Sequence, residues 1–289
     1  MTIREIVPDD AHWVTEIHCA DEAAWWAHRR GGTPCPYADL TAEERWLHGG
    51  PWMDRGLCAA YLGRLRGAGH RTLGALRGGI VAGHIELFAA PEELHIGLLW
   101  IHPDHRRQGL GTALVRAAAR LSGRAPLTVR PGPTSAAFYE RLGFQPWREV
   151  PGWSVRGGGG AAEGCAWAGV PAGAPARGDL EIGRVTVEAH LRFIWAPPPI
   201  RLPLFRRVVH GAWPGRRLVL VPDFIDPLGP ATAHLFSEAT ADRRDVATIL
   251  AAAAAHGMST VHLHGGPPPG GDAEPLAPLR LYRRPAGPA

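Results

Sequence analysis

Residues 94–121 read LHIGLLWIHPDHRRQGLGTALVRAAARL, and they decide the fold. Leu94–Ile101 is almost continuously apolar, which suits a strand buried on both faces. Pro103 and Asp104 end it. A short turn follows, Arg106-Arg107-Gln108-Gly109-Leu110-Gly111-Thr112. From there apolar residues recur at Leu110, Ala113, Leu114, Ala117, Ala118 and Leu121, while Arg116 and Arg120 fall on the other side. That spacing predicts a helix with one buried face. A strand feeding a helix through a tight glycine turn is therefore the organising unit.

The glycines indicate what the turn is for. The first turn of a helix carries backbone N–H groups without an intrahelical partner and forms the positive end of its dipole. Gly109 and Gly111 put no side chain in front of those amides, so an anion is the expected ligand, and phosphate the obvious one. Arg106 and Arg107 add positive charge beside it. The alternative is a helix start where glycine merely permits the turn. Two other phosphate signatures are absent. A dinucleotide-binding turn needs a third glycine where Leu114 stands. A P-loop needs Gly-Lys-Ser/Thr, and the chain contains no lysine.

The wider pattern is more specific. Ile101 to Leu114, IHPDHRRQGLGTAL, resembles the pyrophosphate loop of the GNAT acetyltransferases (Gcn5-related N-acetyltransferases), whose core is Arg/Gln-x-x-Gly-x-Gly/Ala. Here that core is Arg106 to Gly111. A second stretch, Ala137–Phe144 or AFYERLGF, resembles the family's Phe-Tyr-Glu-Lys-Leu-Gly-Phe helix end. Gly143 suits a helix C-cap there, with Phe144 starting a strand. The family often has Asn seven residues before that Tyr; here the position is Gly132, which has no side chain to contact a pantetheine arm. The resemblance covers residues 1–156. It implies an α/β (α+β) fold with a mixed, mostly antiparallel sheet flanked by helices.

The resemblance also implies a reaction: transfer of an acetyl group from acetyl-CoA, a co-substrate, to a primary amine by direct attack in a ternary complex. The thioester is already activated. The protein must hold the amine against the carbonyl, stabilise the oxyanion, and move two protons. The pyrophosphate is expected on the amides of Gln108, Gly109, Leu110, Gly111 and Thr112, beside Arg106 and Arg107. The pantetheine arm is expected along Leu99, Trp100 and Ile101, where a strand amide would polarise the carbonyl. Tyr139 is the candidate general acid, because a phenol of pKa ~10 is protonated at neutral pH; a structural tyrosine at a helix–sheet interface is the alternative. For the base, His95 on the core strand has a suitable pKa near ~6.5. Glu86 is expected beside it across a hairpin, acting directly or through water. His84, Glu92 and Glu93 are weaker candidates, and His102 and His105 read as loop residues without a third metal ligand, so no metal is expected.

Composition narrows the partners. Net charge is +4, carried by arginine without any block of five or six basic residues, so nucleic acid is not expected. There is no leader and no apolar run near the ~20 residues a membrane span needs, so no membrane partner and a cytoplasmic location are expected. The four cysteines, Cys19, Cys35, Cys58 and Cys165, show no Cys-x-x-Cys pairing. The acceptor, a small-molecule or peptide amine, is not specified by the sequence, and monomer or homodimer both remain open. The alternative function is a non-catalytic acetyl-CoA-binding or regulatory protein on the same fold.

The rest of the chain fills in the frame. Thr2–Val7 reads as a strand and Asp9 opens a helix. Thr41-x-x-Glu44 is a capping-box signature, Leu57–Leu65 a helix, and Arg71–Leu76 with Ile80–Phe88 a hairpin across Arg77-Gly78-Gly79. Leu127–Arg130 is another short strand. Trp13, Trp25, Trp26, Trp46 and Trp52 cluster early, as core packing or as the wall of an acceptor pocket. Residues 157–178 are a Gly/Ala/Pro-rich linker. Residues 179–289 form a smaller second domain, with strands expected at Leu180–Trp195, Arg217–Val221, Thr260–His264 and Leu279–Arg283. Within it, His234–Leu250 lines up without a gap on Leu98–Leu114, but Asp245 replaces Gly109 and Ala247 replaces Gly111. An aspartate there satisfies the helix amides itself and repels phosphate. This domain is read as a degenerate, truncated GNAT-like lobe that does not bind CoA.

Overall fold

A computed structural model of the chain describes residues 1–27, 33–89, 93–132, 134–156, 166–168, 209–213, 216–222, 232–236, 247, 250–251, 253–254, 259–264 and 273–285. The first stretch supplies strand β1 (Thr2–Glu5), a 3-10 turn at Pro8–Asp10 and helix α1 (Ala11–Cys19). The two-residue strands β2 (Trp26–Ala27) and β3 (Thr33–Pro34) pair with each other. Helix α2 (Ala42–Gly49), a 3-10 turn at Pro51–Met53 and helix α3 (Arg55–Gly67) follow. The capping box is present: Thr41 Oγ1 accepts Glu44 N at 3.2 Å, and Thr41 N donates back to Glu44 Oε2 at 3.0 Å.

Next come the hairpin β4 (Arg71–Arg77) and β5 (Ile80–Ala89), then β6 (Leu94–Ile101), helix α4 (Leu110–Ser122), β7 (Leu127–Val129), helix α5 (Ala136–Glu140) and β8 (Gln145–Arg156). The later strands are β9 (Ala166–Ala168), β10 (Val209–Trp213), β11 (Arg216–Pro222), β12 (Thr232–Phe236), β13 (Thr260–His264) and β14 (Glu274–Arg284). The strand expected at Leu180–Trp195 lies outside the described residues, as do Val246 and Ile249 of the sequence echo.

The described chain forms two compact units. The first is Met1–Pro146 joined by the end of β14 from Tyr282 onward; the second includes Trp147–Arg156 and the strands from β9 to Leu281. In the first unit the sheet runs β1-β4-β5-β6-β7, with the end of β14 beyond β7. Its pairs are antiparallel except β6 with β7. Tyr282 pairs with Val129 and Arg284 with Leu127, antiparallel. The second unit repeats this pattern. β11 is antiparallel to β12, β12 parallel to β13, and β13 antiparallel to the Gly152–Arg156 part of β8. The first unit thus takes its last strand, Tyr282–Arg284, from beyond the sequence of the second unit, whereas the Gly152–Arg156 strand lies within the second unit's own stretch. Residue 156, the expected end of the first domain, is crossed in both directions. β9, inside the stretch read as a linker, pairs with β10.

Alternation along β5 separates the two faces of the first unit's sheet. Ile85 and Leu87 face Leu110, Leu114, Val115 and Ala118 of α4, and with Leu73, Ile96, Val129, Phe144 and Tyr282 they form the core. His84 and Glu86 face α1, α3 and the turn at Pro51–Met53. The buried stripe of α4 differs from the expected one at its end: Val115 is buried while Leu121 is 41% exposed. The helix ends one residue later, at Ser122.

His70, between α3 and β4, gives the fold a pH dependence. Its Nδ1 accepts Ala89 N at 3.1 Å and its ring meets Phe88 edge-on. Burial pushes its pKa down from 6.5 to about 4. The folded value lies below the unfolded one, so the unfolded chain binds the proton first. Stability is therefore full above pH 6.5 and falls as pH drops from there toward about 4. His70→Gln keeps an acceptor oxygen without the titration. Urea unfolding on both sides of this window is expected to show a smaller loss on acidification in the variant than in the wild type; equal losses would remove His70 from the effect.

Candidate functional site

The glycine turn takes the shape its sequence predicts. After β6, His102 Nδ1 accepts Asp104 N at 3.3 Å, and Pro103–His105 forms a 3-10 turn. Gln108 Nε2 donates to Asp104 O at 3.0 Å. Arg107 has φ 57°, the one non-glycine residue with positive φ among the described residues. Gly109 follows at φ 81° and forms the N-cap of α4 with no side-chain cap. The first bond of α4 is Ala113 N to Gly109 O at 3.0 Å, so the amides of Leu110, Gly111 and Thr112 have no intrahelical acceptor. A Cβ on Gly109 would meet nothing within 4 Å. One on Gly111 would come to 3.4 Å from Phe138 and 3.8 Å from Leu99, so the start of α4 lies against both α5 and β6.

Beside this turn the sheet opens. β6 and β7 pair only over Leu94–Ile96. Leu98–Ile101 continue with β5 on one side and no β7 partner on the other. The β5–β6 register shifts at the same place: Leu87 faces Ile96 and Glu86 faces Leu98, so Gly97 is an extra, bulged residue. Only glycine fits there, because a Cβ would lie 1.9 Å from the Phe88 ring. Among the described residues, the opening leaves one edge of Leu98–Ile101 available to another extended chain or to a ligand arm with amide groups.

Tyr139 is buried between the rings of Phe138 and Phe144, at 5.0 and 5.3 Å. Burial pushes its phenol well above the ordinary value of 10, so it stays protonated. The helix carrying it ends as its sequence indicates. Gly143 has φ 84°, Gly143 N donates to Glu140 O at 2.9 Å and Phe144 N to Tyr139 O at 3.2 Å, a Schellman pair.

The two candidate bases are not cross-strand partners. Ala89 pairs with Leu94, which sets Phe88, not Glu86, opposite His95. His95 is buried and its Nδ1 lies 2.9 Å from Thr128 Oγ1 on β7. Glu86 is fully buried, and its carboxylate accepts Trp52 Nε1 at 2.7 Å and Tyr61 Oη at 2.8 Å. Both side chains are buried and hydrogen-bonded inside the protein.

A constellation absent from the sequence reading lies between α1 and the open part of β6. His18 stacks between Trp52 and Trp100, with ring centres at 4.9 and 5.2 Å. Its Nε2 is 2.9 Å from His84 Nε2, so one ring donates and the other accepts. Trp100 Nε1 donates to Asp21 Oδ2 at 2.7 Å, and Arg106 Nη2 donates to the same oxygen. Arg106 Nε donates to Ile101 O at 3.1 Å. The Arg106 guanidinium, expected beside the anion, is engaged by Asp21 and by the end of β6. These partners are 66, 79 and 85 residues apart, and no local pattern signals them. Of the tryptophans, Trp46 and Trp52 are core residues, while Trp25 meets Tyr37 and His48. Among the described residues no group of three or more His, Cys, Asp or Glu is placed to hold a metal, and no helix is long and apolar enough to cross a membrane.

An uncapped helix start behind a left-handed glycine, beside two parallel strands that part after three residue pairs, defines the class of fold. Residues 68–146 match the family model described as an acetyltransferase (GNAT) domain. That stretch, less than half of the chain, is thus similar to a domain of the GNAT acetyltransferase family. Solved structures are similar over nearly the whole chain. A Gcn5-related N-acetyltransferase from Kribbella flavida is 15% identical, with 98% of this chain and 70% of that chain covered and a TM-score of 0.57. A Pyrococcus horikoshii protein, provisionally described as an acetyltransferase, is 13% identical over 99% of this chain and 89% of its own, also with a TM-score of 0.57. A tandem GNAT protein from the clavulanic acid biosynthesis pathway is 15% identical over 100% of this chain and 99% of its own, with a TM-score of 0.50. At these identities the likeness is one of fold. No curated protein matches the chain.

Proposed function

We propose that the first unit transfers an acetyl group from acetyl-CoA to a primary amine, by direct attack in a ternary complex. The observation that carries this reading is the uncapped start of α4 beside the edge of Leu98–Ile101, which has no strand partner among the described residues. The amides of Gln108 to Thr112 would hold the pyrophosphate, with Arg107 beside them. The edge of Leu99, Trp100 and Ile101 would hold the pantetheine arm, and an amide there would polarise the thioester carbonyl. The residues fit such a ligand: a Cβ at Gly109 would project into open space, where the phosphates would come. Tyr139, kept protonated by burial, is the proposed acid for the leaving thiolate. The acceptor is a small-molecule or peptide amine. A cytoplasmic location and a monomer or homodimer belong to the same proposal.

The second unit is proposed as a degenerate GNAT-like lobe without CoA. Its parallel pair β12–β13 has the same connectivity as β6–β7, and its sequence lacks both loop glycines. A second reading, a CoA-binding protein without turnover, is favoured by one observation: His95 and Glu86 are both buried and bonded.

Calorimetric titration with acetyl-CoA tests the proposal. One site per chain is the expected result. Two sites would mean that the second unit binds as well, and no binding at millimolar ligand would sink both readings. A thiol-release assay against a panel of amines then separates enzyme from binder.

A further inference from the structure

We infer that Asp21, just beyond α1, is a positioning residue for the glycine turn: it fixes Arg106, and through Arg106 the backbone that receives the pyrophosphate. The inference rests on the proposed function, since it concerns how that same site is held in shape.

Three contacts carry it. One carboxylate oxygen of Asp21 accepts both Trp100 Nε1, at 2.7 Å, and Arg106 Nη2. Arg106 Nε donates to Ile101 O, the last residue of β6, at 3.1 Å. The residue after this clamped arginine is Arg107, whose φ of 57° is unfavourable for a side-chain-bearing residue and persists only where neighbours hold it. The support is itself fixed. Asp21 N donates to His18 O at 3.3 Å, and the His18 ring is clasped between Trp52 and Trp100 with His84 behind it. Asp21 therefore ties a packed helix end to the strand and turn of the cofactor site.

Stability is not what this pair supplies. The Arg106 side chain is 46% exposed, and ion pairs at that exposure contribute little to folding. Nor does Asp21 help by its charge, because a carboxylate beside an anion site opposes the anion. What remains is geometry. The two accounts predict opposite signs for one substitution. If charge alone mattered, Asp21→Asn would release a cation and tighten CoA binding. If Asp21 shapes the turn, the same change loosens it.

The test is CoA binding by calorimetry, with acetyl-CoA kinetics in parallel. Asp21→Asn is expected to raise the Kd for CoA about fivefold or more, with thermal melting as in the wild type. KM for acetyl-CoA should rise while kcat at saturation holds. Asp21→Glu keeps the charge but displaces the guanidinium, and it should weaken CoA binding too. The double variant with Arg106→Gln should bind no worse than Arg106→Gln alone, because both changes remove one contact. Equal or tighter binding by Asp21→Asn, or additive losses in the double variant, overturns the inference while the wild type still binds. A wild type that binds no CoA fails the proposed function, and the inference falls with it. Should Asp21→Asn not fold, Asp21→Glu decides, and an unchanged Kd there overturns the inference.

Discussion

Replacing Gly109 by Asp is expected to abolish CoA binding without unfolding the protein. The aspartate would sit at the N-cap of α4, where its carboxylate accepts the amides of the first turn and stabilises the helix. Those are the amides proposed for the pyrophosphate, and the new charge repels what it does not displace. Charge-assisted hydrogen bonds are lost and a repulsion is gained, so affinity should fall by about a hundredfold or more. The φ of 81° adds backbone strain for any side chain, and Gly109→Ala measures that part alone. Alanine is expected to weaken CoA binding by a smaller factor than aspartate. The variant copies what the sequence has at Asp245. Unchanged affinity in calorimetry would refute the assignment of the turn.

Tyr139→Phe is expected to lower kcat by about a hundredfold or more, the scale of a lost general acid. Its CoA affinity should stay close to that of the wild type. The substitution keeps the ring that packs against Phe138 and Phe144 and removes only the hydroxyl. Burial raises the phenol above its ordinary value of 10, so wild-type turnover should not decline as pH approaches that value through loss of this proton. A normal single-turnover rate in the variant would take Tyr139 out of the mechanism and strengthen the reading of a binder without turnover.

Much of the first unit was legible because its signals are local. The apolar run Leu94–Ile101 is a strand with those bounds, and the helix starts at Leu110 behind Gly109. Thr41 and Glu44 form the reciprocal cap, and Gly143 ends the Tyr139 helix in a left-handed turn. Each feature needs only residues within about a helical turn of one another, so spacing alone carries it. The pairing of the candidate bases was not legible. It depends on where the β5–β6 hairpin turns, and β5 runs to Ala89, which puts Phe88 against His95. The partner of Arg106 was not legible for a related reason: a guanidinium next to a glycine turn looks free until a carboxylate 85 residues earlier is brought against it.

By itself, then, the sequence determined the strand–turn–helix unit, the uncapped amides of α4 and the family resemblance, all set by short-range backbone and side-chain rules. Only the tertiary structure decided three things. It parted β6 from β7 after Ile96, with Gly97 bulged under Phe88. It placed His18, Trp100, Asp21 and Arg106 together beside the turn. It gave the first sheet its last strand from Tyr282–Arg284, at the far end of the chain. The physical reason is common to all three. Strand registers and buried polar contacts are chosen by which surfaces pack against each other, and residues distant in sequence carry no mark of that choice until the chain has closed on itself.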